Sequence, residues 1–229
     1  MNGELGVLHR LGPDAEHTRA ERELTAAGWT RCGVGDWAVV LASPSGQLAA
    51  RISPFDPVAP YTVQLFELAA GTGQVPRLHA HRALEGGAVC TVMERLDPAG
   101  PGEAEELFAA LEERRADVLD LGVALDVVLA RAQAELPWCG SVDRNPANVM
   151  RRANGELVLT DPFFADGPHM YGSLTTDASQ VARLIPAESR RHMFELPLAE
   201  SGPWDPEGRE RMRSALAAAD ARLGRETEP

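Results

Sequence analysis

The stretch SVDRNPANVMRRANGELVLTDPFF, residues 141–164, decides the fold because its turn signal and its polar residues fix one another's positions. Asn154-Gly155 stands between two apolar runs, and Asn-Gly is the strongest short signal for a two-residue type I′ hairpin turn. That turn predicts a register in which 153 pairs with 156, 151 with 158 and 149 with 160. Asn148 and Asp161 would then face each other at the open end of the hairpin.

Asn148 and Asp161 carry the kinds of oxygen that magnesium prefers. Directly opposed residues of antiparallel strands lie about 4.5–5.5 Å apart, which suits two ligands of one cation. An amide carbonyl and a carboxylate fit Mg²⁺, a hard ion that keeps water and phosphate oxygens as its other ligands. Asp143 lies on a loop broken by Pro146, so its carboxylate can approach the same point as a base or orienting group for a hydroxyl. A plain surface hairpin with an asparagine cap is the alternative.

These residues resemble the protein kinase and aminoglycoside phosphotransferase superfamily, in the form of its compact bacterial or phage-type members. In that superfamily the catalytic loop reads D-x-x-x-x-N and the metal-binding aspartate follows a short hairpin. Asp143, Asn148 and Asp161 stand at those places. The resemblance implies a two-lobed, kinase-like α+β fold, with a small antiparallel β-rich N-lobe and an α-helical C-lobe. It also implies that Asp143 is the catalytic aspartate and that Asn148 and Asp161 hold Mg²⁺ on the phosphates of ATP.

An earlier segment, GVGDWAVV at 33–40, has the position and form of the kinase glycine-rich loop between two strands. Glycines let backbone amides approach phosphate closely, so Gly33 and Gly35 are candidate nucleotide-binding residues. A plain hairpin turn is the alternative. In the superfamily a lysine on the third strand binds the phosphates and pairs with a glutamate on the following helix, and here Arg51 and Glu67 stand in those places.

The run CTVMERLD, residues 90–97, resembles the strand and hinge that line the adenine pocket of the superfamily. By this resemblance, backbone groups from Glu94 to Leu96 would bind the edge of the base. A buried strand that ends in polar residues is the alternative.

Periodicity and turn residues predict the order of the elements. Strands are expected within 29–53 and near 77–83 and 88–95, and helices over 13–27, 61–70, 103–115 and 117–136 and near 175–185 and 205–223. The run DPAGPG at 97–102 concentrates turn residues between a strand-rich part and a helix-rich part. We therefore expect an N-terminal helix in 1–28, a β-rich N-lobe over 29–97 and an α-helical C-lobe over 98–229.

Composition narrows the classes of function. The formal net charge of −12 disfavours a nucleic-acid surface, which needs clustered basic residues. All 22 basic residues are arginine, so Walker-type loops and lysine nucleophiles are excluded. The three cysteines have no C-x-x-C spacing and indicate neither a disulfide framework nor a zinc cluster. The sequence has no secretory signal or membrane span, so we expect a cytoplasmic protein without a membrane partner.

Three short patterns are interpreted without a functional role. His79-x-His81 has no Cys, Asp or third His at ligand spacing, so we interpret the two residues as exposed loop histidines. The basic pairs at 151–152 and 190–191 are interpreted as solvated edges.

The sequence thus predicts an ATP- and Mg²⁺-dependent phosphotransferase that moves the γ-phosphoryl group to a hydroxyl of a small molecule or a protein. The acidic balance and the short segment after Asp161 favour a small, cationic acceptor. The small helical region, with little room for a substrate-enclosing insertion, favours a protein hydroxyl. The alternative is a pseudokinase that binds nucleotide or protein without catalysis, because Arg51 replaces the lysine and Ser141 and Pro162 depart from the family pattern.

Overall fold

A computed structural model describes residues 2–196 and 205–224 of the 229-residue chain. These residues form an α+β fold, which confirms the predicted class. From residue 17 onward the order of elements follows the sequence prediction: a helix, three antiparallel strands, a helix, two longer strands, two helices, and then a loop that leads into a hairpin. Residue 1 of the predicted N-terminal helix region, and residues 197–204 and 225–229 of the predicted C-lobe, lie outside the described residues.

The described α-helices are spread over both halves of the chain, and the two longest lie in the second half. They are α1 (Asn2–Leu5), α2 (His17–Ala26), α3 (Ala59–Leu68), α4 (Pro101–Glu112), α5 (Leu119–Glu135), α6 (Gly167–Thr176), α7 (Ser179–Leu184) and α8 (Pro206–Arg222). Short 3-10 helices cover Gly6–Arg10, Ala70–Thr72, Glu85–Gly87, Pro146–Asn148 and Ala187–Ser189.

The strands form three sheets. They are β1 (Thr30–Val34), β2 (Val39–Ala42), β3 (Leu48–Ser53), β4 (Leu78–Ala83), β5 (Val89–Glu94), β6 (Asp97–Pro98), β7 (Cys139–Val142), β8 (Val149–Arg151), β9 (Leu157–Leu159) and β10 (Phe163–Ala165). The largest sheet has the order β1-β2-β3-β5-β4, and β1 to β3 form an antiparallel meander. Antiparallel β7 and β10 form a second sheet, and β6-β8-β9 form a third.

The helix predicted near 175–185 is present as α7, which starts later, at Ser179, whereas α6 before it was not predicted. The α6 helix ends at Thr176, where Asp177 takes an extended conformation with φ −149°. The Oδ1 atom of Asp177 then accepts a hydrogen bond from the amide of Ser179 at 2.9 Å. An aspartate side chain that binds the backbone two residues later competes with helix continuation, so the chain turns here and α7 starts at Ser179.

The chain separates into two compact units, which we call unit 1 (Met1–Pro57, Ala80–Val92 and Asp166–Pro229) and unit 2 (Val58–His79 and Met93–Ala165). Each has its own apolar core. Trp29, Leu24 and Ile52 lie in the core of unit 1, and Leu65, Leu121 and Leu159 lie in the core of unit 2. Burial of each such side chain contributes about 1.5–3 kcal/mol.

The three cysteines are free thiols in three different strands. Cys32 in β1 is exposed, whereas Cys90 in β5 and Cys139 in β7 are buried. Burial raises the pKa of the Cys90 thiol to about 12 and also raises the pKa of Cys139.

Among the helices of residues 2–196 and 205–224, none combines the length and the apolar character needed to cross a membrane.

Candidate functional site

The hairpin of unit 2 forms as predicted, but its register differs by one residue. Observed pairs are Val149 with Leu159 and Arg151 with Leu157, so the predicted pairs 149–160 and 151–158 are wrong. The loop contains three residues rather than two, since the Arg152 amide donates to the Glu156 carbonyl at 2.9 Å. Gly155 has φ +91°, while Asn154 is not left-handed, which excludes the type I′ turn. A turn followed by one left-handed glycine is the usual three-residue hairpin loop.

This register places Thr160, rather than Asp161, opposite Asn148. The amide and the hydroxyl of Thr160 both donate to the Asn148 carbonyl oxygen, at 2.8 and 3.0 Å. Asp161 is therefore the first residue beyond the last hydrogen bond of the hairpin. The predicted direct opposition of Asn148 and Asp161 is wrong by one position, and the two residues remain at the same open end.

A second backbone contact fixes Asp143 beside the chain that follows Asp161. The Asp143 amide donates to the Pro162 carbonyl at 2.9 Å, next to the pairing of Val142 with Phe163 in β7 and β10. Asp143 thus lies across from the residue that follows Asp161. Asp143, Asn148 and Asp161 lie at one set of strand ends in unit 2.

The loop from Asp143 to Asn148 is held by its own side chains. One oxygen of the Asp143 carboxylate, Oδ1, accepts the Asn145 amide at 3.0 Å, and the Asn145 side chain accepts the Ala147 amide at 3.0 Å. The Asn148 amide donates to the Asn145 carbonyl at 2.9 Å. Asn145 is a positioning residue that our sequence reasoning missed, although Asn145-Pro146 is a recognised turn-initiating pair.

The side chain of Asn148 supplies a test of whether this group suits a cation. Its Nδ2 position is buried and has no hydrogen-bond partner among the described residues. An amide presents either its nitrogen or its oxygen at such a position with little change of shape, so a carbonyl oxygen can point there instead. One amide oxygen with half-buried Asp161 makes an all-oxygen donor set, which fits Mg²⁺.

Arg152 links the hairpin to other segments of unit 2. The interpretation of Arg152 as part of a solvated edge was wrong, because this residue is buried. Its guanidinium is buried and donates to Glu94 Oε1 at 2.6 and 2.9 Å, to the Val75 carbonyl at 2.9 Å and to the Gly73 carbonyl. Burial alone would raise the pKa of Glu94, but hydrogen bonds from Arg152 and from the Arg77 amide hold it below its ordinary value. Because the guanidinium has five donors in a rigid fork, it joins the hairpin to two other segments of unit 2.

The predicted adenine-binding segment begins at this ion pair. Glu94 uses its carboxylate for Arg152, and its amide donates to the Arg77 carbonyl at 3.1 Å. Leu96 is half-buried just after β5. Binding of the base by backbone groups of Glu94 to Leu96 stays a prediction.

In unit 1, the glycine-rich segment forms the turn between β1 and β2. Gly33 pairs with Val40 inside the sheet, and the Gly35 amide donates to the Ala38 carbonyl at 2.9 Å. Val40 pairs in turn with Arg51 of β3, so Gly33, Val40 and Arg51 form one row across three strands. Neighbouring strands lie about 4.8 Å apart, and Arg51 therefore lies about 10 Å from the backbone of Gly33.

Arg51 forms an ion pair with Asp56, whose oxygen lies 2.8 Å from the guanidinium. Asp56 is buried, and this contact fixes the arginine within unit 1. Glu67 is exposed near the end of α3. The Arg51–Glu67 pair and the phosphate-binding roles of Gly33, Gly35 and Arg51 stay predictions.

His79 and His81 lie in strand β4 and are half-buried, so their interpretation as exposed loop residues was wrong. The Nδ1 atom of His81 lies 2.9 Å from the hydroxyl of Thr91.

No protein-family model matches the chain, and no curated protein matches it in sequence. Three of the solved structures that match are phosphotransferase or kinase structures. The aminoglycoside phosphotransferase APH(3'')-Id from Streptomyces rimosus is 16% identical, with 87% of this chain and 93% of that chain covered and a TM-score of 0.34. The macrolide 2'-phosphotransferase MphH from Brachybacterium faecium is 12% identical, with 86% of each chain covered and a TM-score of 0.31.

The PknI kinase domain of Mycobacterium tuberculosis is 15% identical, with 84% of this chain and 96% of that chain covered and a TM-score of 0.29. TM-scores of this size do not establish a common fold. The kinase-like interpretation therefore depends on the chain's own order of elements and on its own residues.

Proposed function

We propose that the protein is an ATP- and Mg²⁺-dependent phosphotransferase that moves a γ-phosphoryl group to a hydroxyl. The observation that carries this proposal is the meeting of Asp143, Asn148 and Asp161 at one set of strand ends. Two hydrogen bonds between backbone atoms support it, from the Asp143 amide to Pro162 at 2.9 Å and from the Thr160 amide to Asn148 at 2.8 Å. The second support is the buried Nδ2 position of Asn148, which has no hydrogen-bond partner among the described residues.

Asp143 is the residue proposed to orient the acceptor hydroxyl and to accept its proton. Its Oδ1 atom is held by the Asn145 amide at 3.0 Å, while Oδ2 makes no hydrogen bond to the described residues. A carboxylate fixed through one oxygen is positioned to use the other as the base. We therefore assign proton acceptance to Oδ2.

Asn148 and Asp161 are proposed to hold Mg²⁺, Asn148 through its amide oxygen and Asp161 through its carboxylate. When bound, the ion neutralises charge on the phosphate oxygens of ATP. Phosphoryl transfer needs little covalent chemistry from the protein, so these residues would act by positioning and by charge. In unit 1, Arg51 and the Gly33–Gly35 turn are proposed to bind phosphate, and the backbone of Glu94 to Leu96 in unit 2 is proposed to bind adenine.

Two acceptor classes remain in this proposal. The net charge of −12 supports a small cationic hydroxyl compound, which would be drawn to an acidic surface. A protein hydroxyl is the second class, and a panel that contains both separates them.

Calorimetry of ATP with and without Mg²⁺ tests the metal and nucleotide roles. We expect Mg²⁺ to strengthen ATP binding to wild type. In Asp161→Asn this gain in affinity should fall by at least about tenfold, because even substitutions of residues that only contact a metal ligand lower metal affinity by that factor. Asp126→Asn is the matched control, because Asp126 lies in the same unit with a 56% exposed side chain. Equal Mg²⁺ dependence in Asp161→Asn and wild type would overturn the assignment.

Release of ADP in the presence of an acceptor panel tests catalysis. Removal of a general base lowers kcat by about 10²–10⁴-fold, which is the loss expected for Asp143→Asn with ATP binding retained. Undiminished transfer by Asp143→Asn would contradict the role of this residue.

The second candidate is a pseudokinase that binds nucleotide or protein without catalysis. The ion pair of Arg51 with buried Asp56 at 2.8 Å favours it, because a planar guanidinium that is paired with a carboxylate cannot copy a phosphate-binding ammonium. Magnesium-dependent ATP binding without transfer to any acceptor, in wild type and in Arg51→Lys alike, would favour this candidate over the enzyme.

A further inference from the structure

Unit 1 contains a cluster of two histidines and two glutamates drawn from three distant segments. His17 is the first residue of α2, Glu85 begins a short 3-10 helix, and His192 and Glu195 lie in the turn after Ala187–Ser189. His17 and His192 are only 9% and 8% exposed. We call these four residues the histidine cluster.

Glu195 lies between the two imidazoles. Its Oε1 atom is 2.9 Å from His192 Nδ1, and its Oε2 atom is 3.4 Å from His17 Nε2. The two rings meet edge to face with centroids 4.9 Å apart. One ligand atom from each of His17, His192 and Glu195 falls within 4.8 Å of the others, so the three groups could hold one metal ion.

Ion pairing within the cluster accounts for His192 but not for His17. His192 also approaches Glu85, with Nε2 2.5 Å from Oε2, so both of its nitrogens have partners. The Nδ1 atom of His17 is buried and has no hydrogen-bond partner among the described residues, and burial lowers the pKa of this histidine. The other nitrogen of His17, Nε2, is the one that faces Glu195, and it is the atom available to an ion in the cluster.

The backbone beside the cluster is shaped to admit the His192 ring. Gly86 has φ +68°, and a Cβ at this residue would lie 2.3 Å from His192 Cδ2. Gly87 has φ +81°, and a Cβ there would lie 2.0 Å from the Ser189 carbonyl oxygen. Two consecutive left-handed glycines therefore allow the segment that carries His192 to approach Glu85.

We propose that His17, His192 and Glu195 bind a zinc ion, with Glu85 as the outer carboxylate that orients His192. Two imidazoles and a carboxylate form a donor set that zinc accepts, and three protein ligands leave a fourth position for water. The Glu195 side chain is 48% exposed, so water can reach the carboxylate end of the cluster.

The spacing of the three groups is compatible with a zinc site after small side-chain adjustments. Bonds of about 2.0–2.1 Å place neighbouring ligand atoms about 3.3 Å apart. His17 Nε2 lies 3.4 Å from Glu195 Oε2, and His192 Nδ1 lies 2.9 Å from Oε1 of the same carboxylate, so both imidazole nitrogens can reach an ion held by Glu195. With Nδ1 on the ion, His192 would donate its Nε2 proton to Glu85, which is the usual carboxylate–histidine–zinc arrangement.

Calorimetric titration of the full chain with Zn²⁺ tests this proposal. We expect one equivalent to bind wild type, His192→Ala and His17→Ala to abolish this binding, and Glu85→Gln to weaken it by about 10–100-fold. His169→Ala is the matched control, since His169 is an exposed histidine of the same unit and should leave the titration unchanged.

A spectroscopic measurement on wild type keeps the test independent of how the variants fold. Co²⁺ bound by these ligands should give the intense visible bands of a four-coordinate ion. The weak spectrum of octahedral Co²⁺ alone would overturn the proposal, as would zinc binding of equal strength in wild type and in a folded His17→Ala variant.

Discussion

The loop and hairpin of residues 143–161 in unit 2 and the histidine cluster in unit 1 are assembled by different means. The first group comes from nineteen consecutive residues joined by backbone hydrogen bonds of the loop and the hairpin. The second joins residues from three segments that only tertiary packing brings together. Local turn chemistry positions the first, whereas the second depends on long-range ion pairs and on glycines that allow close approach.

The largest effect is expected for the ion pair that anchors the segment around His192. Arg190 and Asp220 are both buried, and Arg190 Nη2 lies 2.6 Å from each carboxylate oxygen. Asp220→Ala leaves the guanidinium buried without its carboxylate, so we expect a loss of about 3–5 kcal/mol in the free energy of unfolding. Urea denaturation measures this loss.

Two variants control that experiment. Asp126→Ala removes an ion pair with an exposed Arg114 and should cost less than about 1 kcal/mol. The double variant Arg190→Met with Asp220→Leu should recover much of the loss, because apolar residues can replace a buried pair without leaving a charge. If Asp220→Ala and Asp126→Ala lower the free energy of unfolding by the same small amount, the buried ion pair does not hold the segment around His192 in place.

An intermediate effect is expected for Glu94→Gln, which weakens the anchor of the hairpin. Hydrogen bonds to charged groups contribute about 1.5–3 kcal/mol, and we expect a loss of about 2 kcal/mol at neutral pH. Glu156→Gln is the control, because Glu156 approaches the same Arg152 at 3.1 Å with a 54% exposed side chain, and it should cost less than about 1 kcal/mol.

The pH dependence of Glu94→Gln has a defined sign. Since the pKa of Glu94 is lower in the folded protein than its ordinary value of 4.5, its contribution is fully present above that value. The contribution is lost as the pH falls through the lowered pKa. The stability difference between wild type and Glu94→Gln should therefore shrink in acid, and a difference that stays constant from neutral pH to below 4.5 would contradict this assignment.

The smallest effect is expected at the hairpin turn. Gly155 has φ +91° and open space around it, so Gly155→Ala adds backbone strain without a clash and should cost about 1–2 kcal/mol. Gly172 in α6 has ordinary helical geometry and open space, and Gly172→Ala should instead stabilise by about 0.5–1 kcal/mol. Thermal unfolding measures both changes. If Gly155→Ala and Gly172→Ala both raise the unfolding temperature, the left-handed conformation of Gly155 is not required.

The sequence predicted the parts of the site that local chemistry determines. The D-x-x-x-x-N spacing and the Asn-Gly signal were enough to predict that Asp143, Asn148 and Asp161 lie near one another. The register was wrong by one residue because Asn-Gly is compatible with loops of two and of three residues, and the Arg152–Glu156 hydrogen bond selects the longer one.

Residues whose roles depend on distant partners were not predicted. Arg152 and Arg190 look like members of surface pairs in the sequence, and only tertiary packing reveals their carboxylate partners. The same holds for His17 and His192, which have no spacing that indicates a metal site. Their contacts join segments that no periodic pattern connects.

The distribution of thiols in the strands makes this chain unusually easy to tag at one position. Lysine is absent, and burial shields Cys90 and Cys139, so a maleimide reagent would find its accessible side-chain target at Cys32 in β1. Cys32 stands just before Gly33, in the strand that leads to the Gly35 turn. A fluorophore attached there would test the phosphate binding that we propose for that turn without any engineered cysteine.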